Sequence, residues 1–424
     1  MASTYLTRTP SSGGNRQVFT FSFWLKRTKL GSTQYFISQG SDNNNNFAMY
    51  FDANDYMGMW DYGSAYNWRY MTNRKFVDTN CWYHILLRAS TTDGTAQDRM
   101  KLYINGVQET SFSTNTTASS SLNTHVNQSG NPLKIGIYTS GSSYFDGLMS
   151  HFHLADGTAY EPSTFGETDS TTGEWKIKVN PSVSYGTNGF FILKDGNSVT
   201  DQSGQSNNLT VGGGTFTKSE DCPSNVFATN NSLWKQESSR YLTHTKGNTM
   251  ISGGGSSTWY QTPATLAFNS GKFYWECKFN AGTNLDKNTA GVIDYEKTQA
   301  SGQFQDATGS VFYKNEDGGE TRIDGSTSTA DYGTLAQNDI LGVAVDMDAA
   351  TPTVKFYKNG SLLVTANASS LSGKFVTPAH MIYTSGEYQV NYGNGYFGDS
   401  AVSSAGTNAS GIGIFEHDVP ANYT

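Results

Sequence analysis

Charge is scarce in this sequence. Lysine, arginine, aspartate and glutamate together supply 15% of its 424 residues, well below the roughly 25% usual in soluble globular proteins. The net charge is −8 and no cluster of Lys and Arg occurs. That excludes a nucleic-acid partner, because phosphate neutralisation is the dominant affinity term there. No apolar run approaches the length of a membrane span, so no membrane insertion is expected. Met1 to Gly14 lacks the basic and apolar regions of a signal peptide, and synthesis in a cytoplasm without export by the Sec route is the expectation. Cysteine is rare as well. Cys81, Cys222 and Cys277 are odd in number, widely spaced and without a C-x-x-C pair, which excludes a disulfide framework and a zinc knuckle. They read as small apolar filling. Long runs of Glu, Lys, Leu and Ala at helical spacing are missing, as are coiled-coil heptads and any G-x-S-x-G elbow.

Aromatics and glycine are plentiful: 25 Tyr, 24 Phe and 45 Gly. With helices excluded, this balance predicts an all-β fold rich in turns.

One phrase occurs twice, as Lys101-Leu102-Tyr103-Ile104-Asn105-Gly106 and as Lys355-Phe356-Tyr357-Lys358-Asn359-Gly360. Asn-Gly after an alternating stretch predicts a two-residue type I′ hairpin, since both central residues need positive φ. Each phrase follows an apolar strand, Tyr83 to Arg88 in one case and Ile340 to Val345 in the other. Further back each has an aromatic strand. Period-two alternation places Phe19, Phe21, Phe23 and Leu25 on one face, with Val18, Thr20, Ser22 and Trp24 on the other; it places Phe273, Trp275, Cys277 and Phe279 inward in the later copy. The interval is far longer than the roughly 20–50 residues of a solenoid repeat. Two domains of one architecture are therefore predicted: a first sandwich over residues 1–166 and a second over 237–398. Residues 167–236 read as an ordered connector, too aromatic for a flexible linker and too thin in apolar residues for a core. Residues 399–424 form a small polar tail, with Gly411 to Phe415 as its only strand candidate, able to dock on a neighbour.

The first domain resembles the concanavalin A-like, laminin-G-like sandwiches in Phe21-Ser22-Phe23-Trp24-Leu25, Trp82-Tyr83-His84, the first Asn-Gly phrase, and Ile135-Gly136 followed by Tyr144-Phe145-Asp146-Gly147. The second resembles a SPRY domain in Gly271-Lys272-Phe273-Tyr274-Trp275-Glu276, Asn338 to Asp346, the second Asn-Gly phrase, Thr377-Pro378-Ala379 and Val390-Asn391-Tyr392-Gly393. Both resemblances imply jelly rolls of two antiparallel sheets. The connector resembles a segment of bacteriophage virion proteins in Asp156-Gly157-Thr158-Ala159-Tyr160, Tyr185 to Phe190, Asp201 to Thr210 and Asp221 to Thr229. That resemblance implies a tail-fibre, head-fibre or capsid-decoration protein on the virion exterior, made in the cytoplasm of a bacterial host. Its implied partners are other virion proteins, further copies of itself with a trimer favoured, and a host-surface glycan.

A glycan hydrolase on this scaffold needs two carboxylates about 5–5.5 Å apart for retention, and the nearest text, Glu167-Thr168-Asp169 before Ser170-Thr171-Thr172, lacks the final acid and reads as a loop. The expectation is a protein that is not an enzyme, with a glycan-degrading depolymerase as the alternative. His151-Phe152-His153 sets two imidazoles on one strand face at a spacing that suits zinc, but no third ligand is adjacent in sequence. Gly393-Asn394-Gly395-Tyr396-Phe397-Gly398 satisfies G-x-G-x-x-G without a following helix, and reads as strand-end turns. No cofactor is expected; calcium at Asp42 or at Asp52 to Asp55 stands beside plain turn chemistry.

The richest binding text is Tyr56 to Tyr70. Aromatic faces stack on sugar rings while Asn and Arg bond hydroxyls, so Trp60, Tyr62, Tyr66, Asn67, Trp68 and Arg69 are the candidate ligand-binding residues. The competing reading places half of these rings in the core or at a subunit interface. Strict alternation puts Tyr66, Trp68 and Tyr70 on one face.

Overall fold

A computed structural model describes residues 3–194, 198–235, 242–281, 287–299, 302–328 and 330–424. The chain divides into two compact units: residues 3–218 with 222–225, and 219–221 with the residues from 226 onward. The expected boundary between Gln236 and Ser238 lies outside the described residues.

In the first unit, two antiparallel sheets enclose one core. The larger runs, edge to edge, through Phe112–Thr116, Tyr66–Lys75, Tyr56–Gly63, Asn45–Phe51, Gln34–Asp42, Leu133–Ile135, Tyr5–Arg8 and Thr210–Gly213. The other runs through Phe190–Ile192, Gly147–Asp156, Val18–Arg27, Tyr83–Ser90, Met100–Ile104 and Val107–Glu109. Period-two alternation sends Phe19, Phe21, Phe23 and Leu25 inward, where Phe23 stacks on Phe152 at 4.6 Å and Phe21 on Phe47 at 5.6 Å.

The second unit repeats the plan. One sheet runs through Thr243–Thr245, Met250–Ser252, Glu387–Asn391, Lys272–Ala281, Ile340–Asp346, Thr353–Lys358 and Ser361–Asn367. It faces a sheet of Trp259–Pro263, Val376–Tyr383, Thr289–Asp294, Ser310–Lys314, Glu320–Ile323 and Ser326–Thr327. Trp275, Cys277 and Phe279 point into the core between them, while Phe273 is half-buried against Phe268. Of the three cysteines, only Cys277 is fully buried filling; Cys81 and Cys222 are partly exposed.

Both Asn-Gly hairpins form. Asn105 and Gly106 have φ of 49° and 78°, and Asn359 and Gly360 have 47° and 81°, as a type I′ turn requires. Each asparagine also clamps the start of the neighbouring strand. The N–H of His84 donates to Asn105 Oδ1 at 2.8 Å, and that of Ile340 donates to Asn359 Oδ1 at 2.9 Å.

The connector expected over 167–236 does not stand apart. Its residues up to Lys218 are built into the first unit. Phe190–Ile192 and Thr210–Gly213 each extend a sheet edge, and a small hairpin, Gly166–Thr168 with Trp175–Ile177, lies over the outside of the six-stranded sheet. Its apolar residues are thin in sequence because they cover a face already formed. Val183 packs, with Tyr160 and Phe165 from the stretch before the connector, on Leu86 and Tyr103.

The tail docks on its own unit. Phe415, Val419 and Tyr423 pack on Tyr274 and Ala344, while the Tyr274 N–H donates to the Thr424 carbonyl at 2.8 Å and the Thr424 N–H donates to the Lys272 carbonyl at 2.9 Å. Gly411 to Phe415 makes a single bridge, Asn394 with Ile414, in place of the expected strand.

Candidate functional site

The outer face of the eight-stranded sheet carries an aromatic cluster. Tyr35, Ala48, Tyr50 and Trp60 form its base, with Tyr62, Met71 and Tyr138 packed against them. The residues interleaved with these along the strands, Met57 and Met59 among them, belong to the core. Tyr35 stacks on Tyr50 at 5.0 Å and on Tyr138 at 4.3 Å; Trp60 meets Tyr50 edge-on at 4.7 Å. The Trp60 indole N–H donates to Asn46 Oδ1 at 3.1 Å, which leaves its ring plane fixed. Gly58 makes this packing possible, since a Cβ there would lie 2.1 Å from the Tyr50 ring. Burial raises the Tyr50 phenol above its ordinary pKa, opposed by the Arg69 guanidinium beside it.

A β-bulge decides which candidates reach this face. Asp61 pairs with Trp68, but the next residue, Tyr62, pairs with Tyr66, so Asn67 is the extra residue. Alternation therefore fails at this point. Trp68 and Tyr70 point into the core, and Trp68 has 0% exposure. Tyr66 is turned to the outside, 44% exposed, 6.1 Å from Trp60 and 5.0 Å from Tyr62. Arg69 lies over its ring at 4.8 Å. The expectation that Trp68 meets a ligand is corrected: it fills the core against Phe47. Asn67 is committed too. Its amide donates to the fully buried Asp61 at 2.7 Å, and Asp61 also accepts from the His125 backbone at 2.7 Å and contacts its ring at 3.0 Å. The structure thus brings together Trp60, Tyr62, Tyr66 and Arg69, and adds Tyr50 and Tyr138, which the sequence reading missed. Tyr138 stands outside the aromatic run, 68 residues from Tyr70 along the chain, and no local signal marks it.

The other candidates serve their own surroundings. Asp42 Oδ1 accepts the Asn44 N–H at 2.7 Å and Asp52 Oδ1 accepts those of Asn54 and Tyr56, which is turn chemistry. Asp55 pairs with Arg27 at 2.9 Å. Asp169 caps its turn through the N–H groups of Thr171 and Thr172 and pairs with Lys176, which holds its carboxyl well below the usual range. His151 sits at a bulge with φ 48°, its Nδ1 against Ser150 Oγ, while His153 is stacked on Phe191 at 3.9 Å and bonded to Tyr185. Among the described residues no three His, Cys, Asp or Glu side chains gather as a metal site.

Two buried pairs resemble a nucleophile with its base. Ser22 Oγ lies 2.9 Å from His84 Nε2, but the Trp175 indole can only donate, and it donates to His84 Nδ1 at 3.0 Å. The neutral imidazole therefore carries its proton on Nε2 and donates to Ser22, the reverse of base catalysis. Burial pulls the His84 pKa down to about 3. Cys277 lies 3.8 Å from His380 Nδ1, and burial holds the thiol well above its ordinary pKa, which disfavours the thiolate.

Residues 2–163 match the family described as the concanavalin A-like lectin/glucanases superfamily. The fold is all-β, with a concanavalin A-like jelly-roll domain over the matched residues. No curated protein matches the chain. Among solved structures, the SPRY domain of human HERC1 is similar at 18% identity, over 34% of this chain and 87% of that one, with a TM-score of 0.29. The TRIM65 PSpry domain is similar at 15% identity, over 39% and 88%, with a TM-score of 0.32. The native heptameric SAP-like pentraxin from Limulus polyphemus is similar at 17% identity, over 43% and 88%, with a TM-score of 0.30.

Proposed function

We propose that this is a non-enzymatic protein of a bacteriophage particle, displayed on the virion exterior as a fibre, knob or capsid decoration. Its first sandwich attaches to a host-surface glycan through the outer face of the eight-stranded sheet. Neighbouring virion proteins and further copies of the chain, in a trimer, complete its partners.

One observation carries the attachment reading. Among the described residues, three of the four outer sheet faces are roofed by the chain's own segments, and the fourth only in part, by Tyr138. Trp175 and Phe165 cover the six-stranded sheet of the first unit, while in the second unit Phe415 and Val419 cover one sheet and Trp234 and Phe304 the other. The fourth keeps Tyr66 exposed beside Trp60 and Tyr62. Rings held edge to face on a rigid sheet bind a sugar with little loss of side-chain entropy. The virion placement is supported by the connector wording in Asp201 to Thr210 and Asp221 to Thr229.

A host-cell adsorption assay with purified protein tests attachment: saturable binding that falls when Tyr66 becomes Ala is the expected result, and equal binding by both proteins refutes the site. Release of reducing sugar from host polysaccharide would establish the depolymerase instead. Gold-labelled antibody on intact particles tests the placement, and absence of label from the exterior refutes it.

A further inference from the structure

The face holds a cation with no counter-ion. Arg69 is the register partner of Trp60, so its side chain shares the outer face with the aromatic cluster. Other buried or half-buried guanidinium groups have their acceptors. Arg27 has Asp55, Arg88 has Asp93 and Glu161, Arg322 has Asp306, Arg8 has Asn207, and Arg16 and Arg99 bond backbone carbonyls. Arg69 has no carboxylate within 4.0 Å among the described residues; its guanidinium bonds the Tyr50 hydroxyl, and its Nε–H, like those of Arg27, Arg88 and Arg322, is buried from water without an acceptor. The acid on the adjoining strand, Asp61, is inward and taken by His125 and Asn67. Lys134, outward because Leu133 and Ile135 on either side of it are core residues, is a second cation on the same sheet, its Nζ donating to the Thr139 carbonyl at 2.8 Å.

Leaving a guanidinium donor dry and unpaired is costly, and a planar fork stacked on an aromatic ring is already oriented to receive a carboxylate in two parallel hydrogen bonds. Tyr66 holds that fork at the exposed margin of the cluster. We infer that the ligand of this face is an acidic glycan, with Arg69 receiving the carboxylate of a uronic-acid-type residue while Tyr66 and the half-buried Tyr62 meet the sugar rings above the buried Trp60. This rests on the attachment reading above and narrows it to one class of sugar.

The test is an array of acidic and neutral bacterial polysaccharides probed with the full chain, followed by titration of the best acidic polymer and of the same polymer after chemical reduction of its carboxylates to hydroxymethyl groups. Carboxyl reduction is expected to weaken binding about tenfold or more. Arg69→Gln should lose the same factor on the native polymer and nothing on the reduced one, with an unchanged melting temperature. Arg69→Lys should recover part of it, and added salt should weaken the native polymer selectively. Hits confined to neutral polymers, or an Arg69→Gln titration equal to wild type, overturn the inference while leaving attachment standing if Tyr66→Ala still weakens binding. An array without any hit overturns both.

Discussion

The Trp175 indole N–H donates to Nδ1 of His84 at 3.0 Å, joining residues 91 positions apart. The indole and imidazole planes lie 18° apart with ring centroids 5.9 Å from each other, and the imidazole stacks on Trp24 at 4.9 Å. Gly106 and Gly166 leave room for it, since a Cβ at either would come within 2.5 Å of the indole. The turn glycine that permits the hairpin also admits the ring that roofs the sheet.

Replacing Trp175 by Phe should keep most of the packing and lose the hydrogen bond, costing about 1 kcal/mol; Trp175→Ala should cost about 2–3 kcal/mol. Urea unfolding measures both. Nitrogen NMR of His84 should show the proton on Nε2 in the wild type, and a proton on Nδ1 there would refute the tautomer.

Trp68 and Tyr66 should separate stability from binding. Trp68→Ala opens a cavity among Phe47 and Tyr70 and should cost about 3–5 kcal/mol. Tyr66→Ala, at an exposed position, should change stability by less than about 0.5 kcal/mol and act on ligand binding alone. Thermal melts paired with adsorption assays on both variants check this; equal loss of melting temperature would contradict the bulge.

Gly58→Ala puts a methyl group into the Tyr50 ring. The aromatic cluster must shift, so a destabilisation of about 1–3 kcal/mol and a loss of glycan binding are expected together. Retention of both would mean that Tyr50 can move freely.

Glu276 gives a pH signature in the second unit. Its buried carboxylate accepts the Tyr274 hydroxyl at 3.1 Å and the backbone N–H groups of Glu416 and His417, each at 2.9 Å, so it anchors the docked tail. Burial raises its pKa from 4.5 to about 7, with the Glu416 charge adding to the rise and the three donors opposing it. A folded pKa above the unfolded one means that the contribution to stability is complete below pH 4.5 and is lost as pH rises through 7. The difference in unfolding free energy between wild type and Glu276→Ala should therefore shrink by on the order of 3 kcal/mol from pH 4.5 to pH 8. Hydrogen exchange at residues 415–418 should quicken in the variant; a difference that stays flat with pH would refute the buried carboxyl.

Local chemistry made much of this fold legible. Asn105-Gly106 and Asn359-Gly360 announce their turns because positive φ at two successive residues is a property of the dipeptide itself, and the Phe19 to Leu25 alternation follows from a strand with one face buried. The site was legible only in part. Trp60, Tyr62, Tyr66 and Arg69 sit in one aromatic run, but the extra residue at Asn67 shifts the period, and a bulge of this kind carries no composition mark. Tyr138 and Trp175 reach their places through long-range packing that no short window contains. The connector misled for the same reason: Trp175 and Val183 are too sparse to look like a core, yet they cover one that other strands have begun.

The matching asparagine clamps at His84 and Ile340 give each half of the chain a private gauge for strand alignment. Lengthening a loop in one half leaves the other half's gauge untouched. Surface loops can then drift under selection at independent rates, and a module that must keep pace with a changing target is free to vary there without unlearning how to fold.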